Sequence, residues 1–192
     1  MDARWSSDAE LARACRWGEP AAWRALVQRF TPLAWRIAIR VLRDRGEAED
    51  ACQEAFSRIH RSFASYDPTR PLAPWIGRIA YHEALKRLGR SRPDGVPLEP
   101  GDLDLPDSGA EPADVALERS DTRSGIDRAL AALSAQDRAL VTLFYHEDFA
   151  VAEIAETTEM SASNVKVRLF RARQRLKQVL TGLGFGAQHE SE

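Results

Sequence analysis

The sequence predicts an all-α protein of two small helical domains joined by a flexible acidic linker, on three observations. Apolar residues recur at three-and-four spacing through most of the chain. No alternation of apolar and polar residues runs long enough to make a useful strand. One segment, 91–119, breaks the helical pattern with Pro93, Pro97, Pro100, Pro106 and Pro112, interspersed with Gly95, Gly101 and Gly109. Proline and glycine at that density, among acids and few large apolar side chains, neither hold a helix nor fill a core. The chain therefore divides into a helical domain 1–90, a linker 91–119, a second helical domain 120–180 and a disordered tail 181–192. Fully extended, the linker would reach about 90 Å, enough to bridge two sites on a long partner.

In the first domain, Ser7 and Glu10 form a capping-box signature ahead of a helix over 11–17, and Gly18 supplies its stop. Pro20 suits a first helical position and opens a helix with Trp23, Leu26, Val27 and Phe30 on one face. Pro32 is expected to kink or restart that helix, after which Leu33, Ile37, Val41 and Leu42 continue the stripe. A charged turn at 43–46 leads to a third helix bearing Cys52, Ala55, Phe56, Ile59 and Phe63. A loop over 64–71 follows, then a last helix carrying Trp75, Ile76, Ile79, Leu85 and Leu88. In the second domain, Ile126, Leu130 and Leu133 mark one helix. Ser134 with Asp137 caps another that runs through Leu140, Val141 and Phe144. A short helix over 151–158 and a long one over 162–180 complete it.

Composition narrows the function classes. With 192 residues, 44% of them apolar, the chain can bury one core or two modest ones. No stretch approaches the roughly 20 apolar residues that span a bilayer. The first ten residues are polar and lack a signal-peptide apolar region, so a cytoplasmic protein without membrane insertion is expected. Cys15 and Cys52 both fall inside amphipathic patterns, as buried apolar thiols do. The formal net charge of −2 conceals a segregation. Residues 1–90 carry 16 Lys/Arg against 11 Asp/Glu, and 91–121 carry 2 against 9. Between Met160 and Leu180 stand six bases (Lys166, Arg168, Arg171, Arg173, Arg175, Lys177) and no acid. A basic block of this kind on one helix suggests nucleic acid.

The stretch 149–175 carries the most information. A short helix with Ile154 and Ala155 inward is followed by a tight turn at Glu159, Met160 and Ser161, and Ser161 caps the next helix. Short helix, turn and capped helix make the helix-turn-helix arrangement. Val165, Leu169, Ala172, Leu176 and Val179 form the core stripe of the second helix. Lys166, Val167, Phe170 and Arg171 share a different arc of about 140°. A phenylalanine exposed among bases is costly unless it touches something, and thymine methyls in a major groove suit it.

At this point the residues resemble a known family. The run DFAVAEIAETTEMSASNVKVRLFRARQRLKQ is similar to the promoter-binding fourth domain of sigma-70-type factors, and GEAEDACQEAFSRIHRSFASYDPTRPLAPWIGRIAYHEALKRLGR to their second domain. Two such domains joined by an acidic linker resemble the extracytoplasmic-function (ECF) group. The resemblance implies that Asp50, Gln53, Glu54 and Phe56 grip the clamp helices of the largest subunit of core RNA polymerase, with a further contact to the flap. Asp50, Gln53 and Glu54 lie at i, i+3 and i+4, one ridge suited to arginines on a partner helix.

The resemblance further implies that loop 65–71 and the following helix capture unpaired bases of the −10 element. Tyr66, Trp75 and Tyr81 are the aromatic candidates for stacking, though Trp75 also fits the core, and Arg70, Arg78, Lys86, Arg87 and Arg90 are candidates for phosphate contacts. His82 stands where the family usually has Asn. Ser163, Asn164, Lys166, Val167, Phe170 and Arg171 correspond to the −35-facing end of the recognition helix, while Arg168, Arg173 and Arg175 would hold phosphates or the fold. Val167 stands where serine is frequent, Asn164 where threonine is usual, and Ala150 where a capping serine is usual. Promoter DNA, core polymerase and an anti-sigma factor are the implied partners, with no cofactor, metal or small-molecule substrate. The acidic linker resembles the element that threads the RNA exit channel.

Two other readings compete. A stand-alone helix-turn-helix regulator would explain the second domain but leave the acidic ridge of the first without a role. An enzyme finds no support in the sequence. His60, His82, His146 and His189 lack metal-ligand spacing, and no HExxH, phosphate loop or nucleophile elbow is present.

Overall fold

Two helices, Pro20–Leu42 and Leu72–Arg90, each bury eight residues and organise the molecule. The computed structural model describes residues 5–90 and 120–185. The linker expected over 91–119 lies outside the described residues. Helix α1 (Asp8–Arg16) starts on the expected capping box: the Ser7 hydroxyl accepts from the Glu10 amide at 3.2 Å, and the Glu10 carboxylate accepts from the Ser7 amide at 3.2 Å. Trp17 ends it, and Gly18, at φ +75°, turns the chain into α2 (Pro20–Leu42), with Pro20 in the first turn.

The expected restart at Pro32 does not occur. Helix α2 runs for 23 residues with Pro32 inside it. Proline removes one backbone donor, but Leu26, Phe30, Leu33, Ile37 and Val41 are buried on both sides of it, and tertiary packing overrides the local defect. Arg43 adopts the left-handed conformation as the C-cap, and Asp44 then caps α3 (Arg45–Ser62), its carboxylate accepting from the Glu47 amide at 2.8 Å. A 3-10 turn (Phe63–Ser65) and an irregular loop lead to α4 (Leu72–Arg90).

The second half contains α5 (Ser120–Ala131), α6 (Ala135–Tyr145), α7 (Val151–Thr158) and α8 (Ala162–Gly182). Among the described residues there is no strand. Ser134 caps α6 and Ser161 caps α8, each hydroxyl accepting from an amide three residues on. Ala150 offers α7 no side-chain acceptor, and the Glu153 carboxylate accepts from its amide at 2.7 Å instead. Glu159 ends α7 in the left-handed conformation at φ +58°. The disorder expected from Thr181 onward does not hold for residues 181–185. Helix α8 runs on to Gly182, the Phe185 amide bonds the Leu180 carbonyl at 2.9 Å, and the Phe185 ring lies against Gly125 of α5. Residues 186–192 lie outside the described residues.

One hydrophobic core runs through both halves. Leu26, Leu33, Ile37, Ile76 and Ala80 belong to the same buried cluster as Leu140, Leu143, Ile154 and Val165. Helix α2 packs on α6, and α4 on α7. At the second crossing stands Gly77, where an added Cβ would sit 3.6 Å from both Ile37 Cδ1 and Thr157 Cγ2. Cys15 and Cys52 are buried on the N-terminal side of this core. Burial, with Glu19 near one and Glu49 near the other, pushes both thiols up to about 11. Neither is a thiolate at neutral pH, so neither is poised to react.

Candidate nucleic-acid and polymerase interface

Helix α3 turns its buried stripe, Ala48, Ala51, Cys52, Ala55 and Ile59, towards α2 and α4. That orientation leaves Asp50, Gln53 and Glu54 exposed together on the outer ridge. Asp50 is not isolated there: Arg87 of α4 reaches over to both Asp50 and Glu47. Arg87, expected on the DNA side, is thus committed to the ridge. Phe56 is half-buried and lies in an open groove of about 770 Å³ between α2 and α3, lined also by Trp23, Val27, Gln53 and His60. The Trp23 and His60 rings meet with centroids 4.6 Å apart, tilted by 48°. Sequence periodicity placed Trp23 on the core face of its helix; it stands at the edge of that face and walls the groove.

The loop and α4 hold the residues expected at the −10 element, and the structure separates them into three kinds. Tyr66 and Tyr81 are buried at 2% and 1% exposure, so neither offers a ring face to a base in this arrangement. The Tyr66 hydroxyl donates to the Arg70 carbonyl and its ring packs on Phe63 and Trp75, which makes it the anchor of the loop. Burial, before any nearby charge, pushes its phenol up to about 12 and keeps it a donor. Trp75 is half-buried in the same aromatic cluster. Lys86 and Arg58 converge on the buried Glu83, at 3.3 Å and 2.7 Å. Burial opposes ionisation of Glu83, but the hydrogen bonds from Arg58 and Lys86 outweigh it and hold the carboxyl below its usual range.

The third kind touches the other half of the molecule. Arg70 Nη1 bonds Glu156 Oε1 of α7 at 2.6 Å, and Arg78 bonds Glu159. His82 Nε2 lies 3.7 Å from the same Glu159 carboxylate. Burial holds the His82 imidazole below the ordinary histidine range, against the pull of Glu159, so it is neutral at neutral pH. Further along the seam, Arg36 meets Glu147 with a second bond at 2.9 Å, and Arg40 meets Asp127 at 3.3 Å. Hydrogen bonding to Glu147 raises Arg36 further above its usual range. Arg138 of α6 is 1% exposed. Its guanidinium donates to the carbonyls of Arg40 at 2.7 Å and Val41 at 3.3 Å, and to Leu133 O at 2.6 Å.

Helix α8 separates its faces as its spacing predicts. Val165, Leu169 and Ala172 are buried, while Ser163, Asn164, Lys166, Arg171 and Arg175 are exposed. Val167 is 44% and Phe170 56% exposed, so the apolar part of the face is open. Arg168 is turned inward, bonding Asp137 Oδ1 at 2.8 Å and the Ser134 hydroxyl at 3.3 Å. It therefore ties α8 to the start of α6, in keeping with a role in holding the fold.

This layout, an acidic ridge on α3, a row of cations along the loop and α4 paired with carboxylates, and a helix-turn-helix, can be set beside known proteins. A profile described as Sigma-70 region 2 matches residues 26–93, and one described as Sigma-70, region 4 matches residues 123–176. The ECF RNA polymerase sigma factor SigM of Mycobacterium tuberculosis is 30% identical over 181 residues, covering 94% of this chain and 88% of that protein. The chain belongs to the ECF RNA polymerase sigma factors. Another relative, SigW of Bacillus subtilis, is 28% identical over 182 residues, covering 86% of this sigma factor and 92% of SigW. Two solved structures share the fold. CnrH in complex with the cytosolic domain of CnrY has a TM-score of 0.67 at 21% identity, covering 91% of this chain and 97% of that one. The sigma factor RpoE bound to the anti-sigma factor NepR from Bartonella quintana has a TM-score of 0.59 at 22% identity, covering 82% and 96%. Among the described residues, no helix of this sigma factor is long and apolar enough to cross a membrane.

Proposed function

We propose that this sigma factor holds core RNA polymerase on the ridge of Asp50, Gln53 and Glu54 and in the adjoining groove. The ridge would take arginines of a polymerase helix, and Phe56 with Trp23 would take an apolar side chain beside them. Arg70, Arg78, His82 and Lys86 would meet the melted −10 strand, and α8 would enter the major groove of the −35 element. The polymerase supplies the chemistry; this chain contributes binding and position. The observation that carries the reading is the open face of Lys166, Val167, Phe170 and Arg171, set on a helix-turn-helix in the same chain as the acidic ridge. Control by an anti-sigma factor belongs to the same proposal, because the two solved structures of like fold are complexes, one of them described as an anti-sigma complex.

Run-off transcription tests it. Bacterial core polymerase supplemented with this chain is expected to give defined transcripts from a promoter upstream of the chain's own gene, where core alone gives none. Duplex binding without any transcript would favour a polymerase-independent regulator. A second measurement addresses α8. Replacing Lys166 and Arg171 together by alanine is expected to reduce the slope of log K against log salt for −35 duplex binding by about two, the release of roughly one counterion per cation. An unchanged slope would place the DNA on another face.

A further inference from the structure

The loop assigned to the unpaired −10 base, 65–71, is held at both feet by the short helix α1. Asp67, Pro68, Thr69 and Arg70 at its tip are exposed, while Tyr66 and Leu72 on either side are buried. Local bonds fold the tip. The Asp67 carboxylate accepts from the Thr69 amide at 2.9 Å and from the Thr69 hydroxyl at 2.7 Å, and the Arg70 amide bonds the Asp67 carbonyl at 3.1 Å. Such bonds fix the shape of the tip but not its place on the domain, which is set at the feet.

At the first foot, Arg16 reaches from the end of α1 to the carbonyls of Ala64, at 3.3 Å, and of Tyr66. At the second foot, α4 begins at Leu72 behind Pro71, whose side chain has no acceptor to cap it. The Leu72 amide donates instead to the Asp8 carboxylate at 2.9 Å. Arg29 of α2 pairs with the other Asp8 oxygen at 3.0 Å and fixes that carboxylate. Asp8 and Arg16 are the first and last residues of α1, about 12 Å apart along its axis. Helix α1 is thus a strut across the loop, with an anion on a backbone donor at one end and a cation on backbone acceptors at the other. Both contacts go to the main chain, so they set where the loop sits without engaging any side chain of its tip.

We propose that Asp8 and Arg16 are positioning residues for promoter opening, which together hold the 65–71 loop where it receives the unpaired −10 base. The inference rests on the assignment of that loop to the −10 element. Taking a base out of a duplex is itself unfavourable, and a loop that had to be ordered at the same moment would add its own cost.

The test uses holoenzyme, bacterial core polymerase with the full chain, on the promoter upstream of the chain's own gene. Permanganate reactivity of unpaired thymines reads opening, and affinities for core and for −35 duplex are measured beside it. Arg16 is exposed, so Arg16→Ala is expected to keep its thermal midpoint and both affinities while the opened fraction falls roughly tenfold. Asp8→Ala should act in the same direction. Arg16→Lys, which keeps a donor for the two carbonyls, and Asp8→Asn, which keeps an acceptor for the Leu72 amide, should recover most of the opening. In the free chain, hydrogen exchange over 66–72 should be faster in both alanine variants. Normal opening by Arg16→Ala would overturn the proposal. Lost opening with unchanged exchange would overturn it too, by placing Arg16 on the DNA itself. Asp67→Gly with Thr69→Gly, which unfolds the tip, separates the two levels. If that variant opens the promoter normally, the −10 assignment fails and the inference falls with it. If it does not open while the alanine variants do, the loop is correctly assigned and the strut is wrong.

Discussion

Reversing Asp50 and Glu54 to arginine is expected to weaken binding to core polymerase by a hundredfold or more and to abolish promoter-directed transcripts. Two acidic positions one helical turn apart would meet cations on the partner, and reversing both turns attraction into repulsion across a desolvated contact. Two such changes together cost about 3 kcal/mol or more, which is that factor of a hundred. Loss of folding is not a competing account. Both residues are exposed, and the tie that the variant breaks, between Asp50 and Arg87, is a surface pair worth at most about 1 kcal/mol. Circular dichroism should therefore be unchanged, and binding to −35 duplex DNA should persist, because α8 lies elsewhere. Transcription at the normal level from the doubly reversed protein would move the polymerase contact off α3 altogether.

The second large effect is on stability. Replacing Arg138 by alanine is expected to cost about 3–5 kcal/mol, read as a fall of roughly 10 °C in the thermal midpoint. The guanidinium is buried and donates to the carbonyls of Arg40 and Val41, close to the C-terminus of α2, where a helix has no donors left and its dipole favours a cation. Its third bond, to Leu133, fixes the entry to α6. Alanine leaves these acceptors dry and opens a hole at the seam. Lysine is no remedy, since a single ammonium on a flexible stem does not reproduce a rigid fork. Arg128→Ala, at an exposed position on α5, is the comparison, expected to stay within about 0.5 kcal/mol. A midpoint for Arg138→Ala equal to that of Arg128→Ala would show that the seam contributes nothing to the fold.

Legibility from sequence was uneven for physical reasons. Helix starts at Ser7, Pro20, Ser134 and Ser161 could be read because a cap is a local device, involving residues within one turn. The faces of α8 could be read because a charged block and an apolar stripe on one helix sort themselves by angle. Pro32 misled as a restart, because the local defect was outvoted by the buried stripe of α2, which packs on α1, α3, α4 and α6. The tail misled at Phe185, whose anchor, Gly125, is remote in sequence. The closure of the halves was least accessible of all: Arg36 and Glu147 are 111 positions apart, and no local pattern couples them. A weak signal did exist. Helix α6 carries Ala135, Arg138, Ala139 and Thr142 along one line, and small residues flanking an arginine mark a second face meant to be covered. Tyr66 and Tyr81 were read for what aromatic rings do with bases, whereas in this arrangement their rings serve the core.

Glu159 closes α7 with a positive φ, a conformation that glycine enters freely and that costs a side-chain-bearing residue about 1 kcal/mol. As a helix ending, glycine would be the more comfortable choice. A glycine there would also remove the carboxylate that meets Arg78 and lies beside His82. The chain thus accepts a strained turn in order to keep an acid at the tip of its helix-turn-helix, and selection for thermal robustness alone would be expected to erase it.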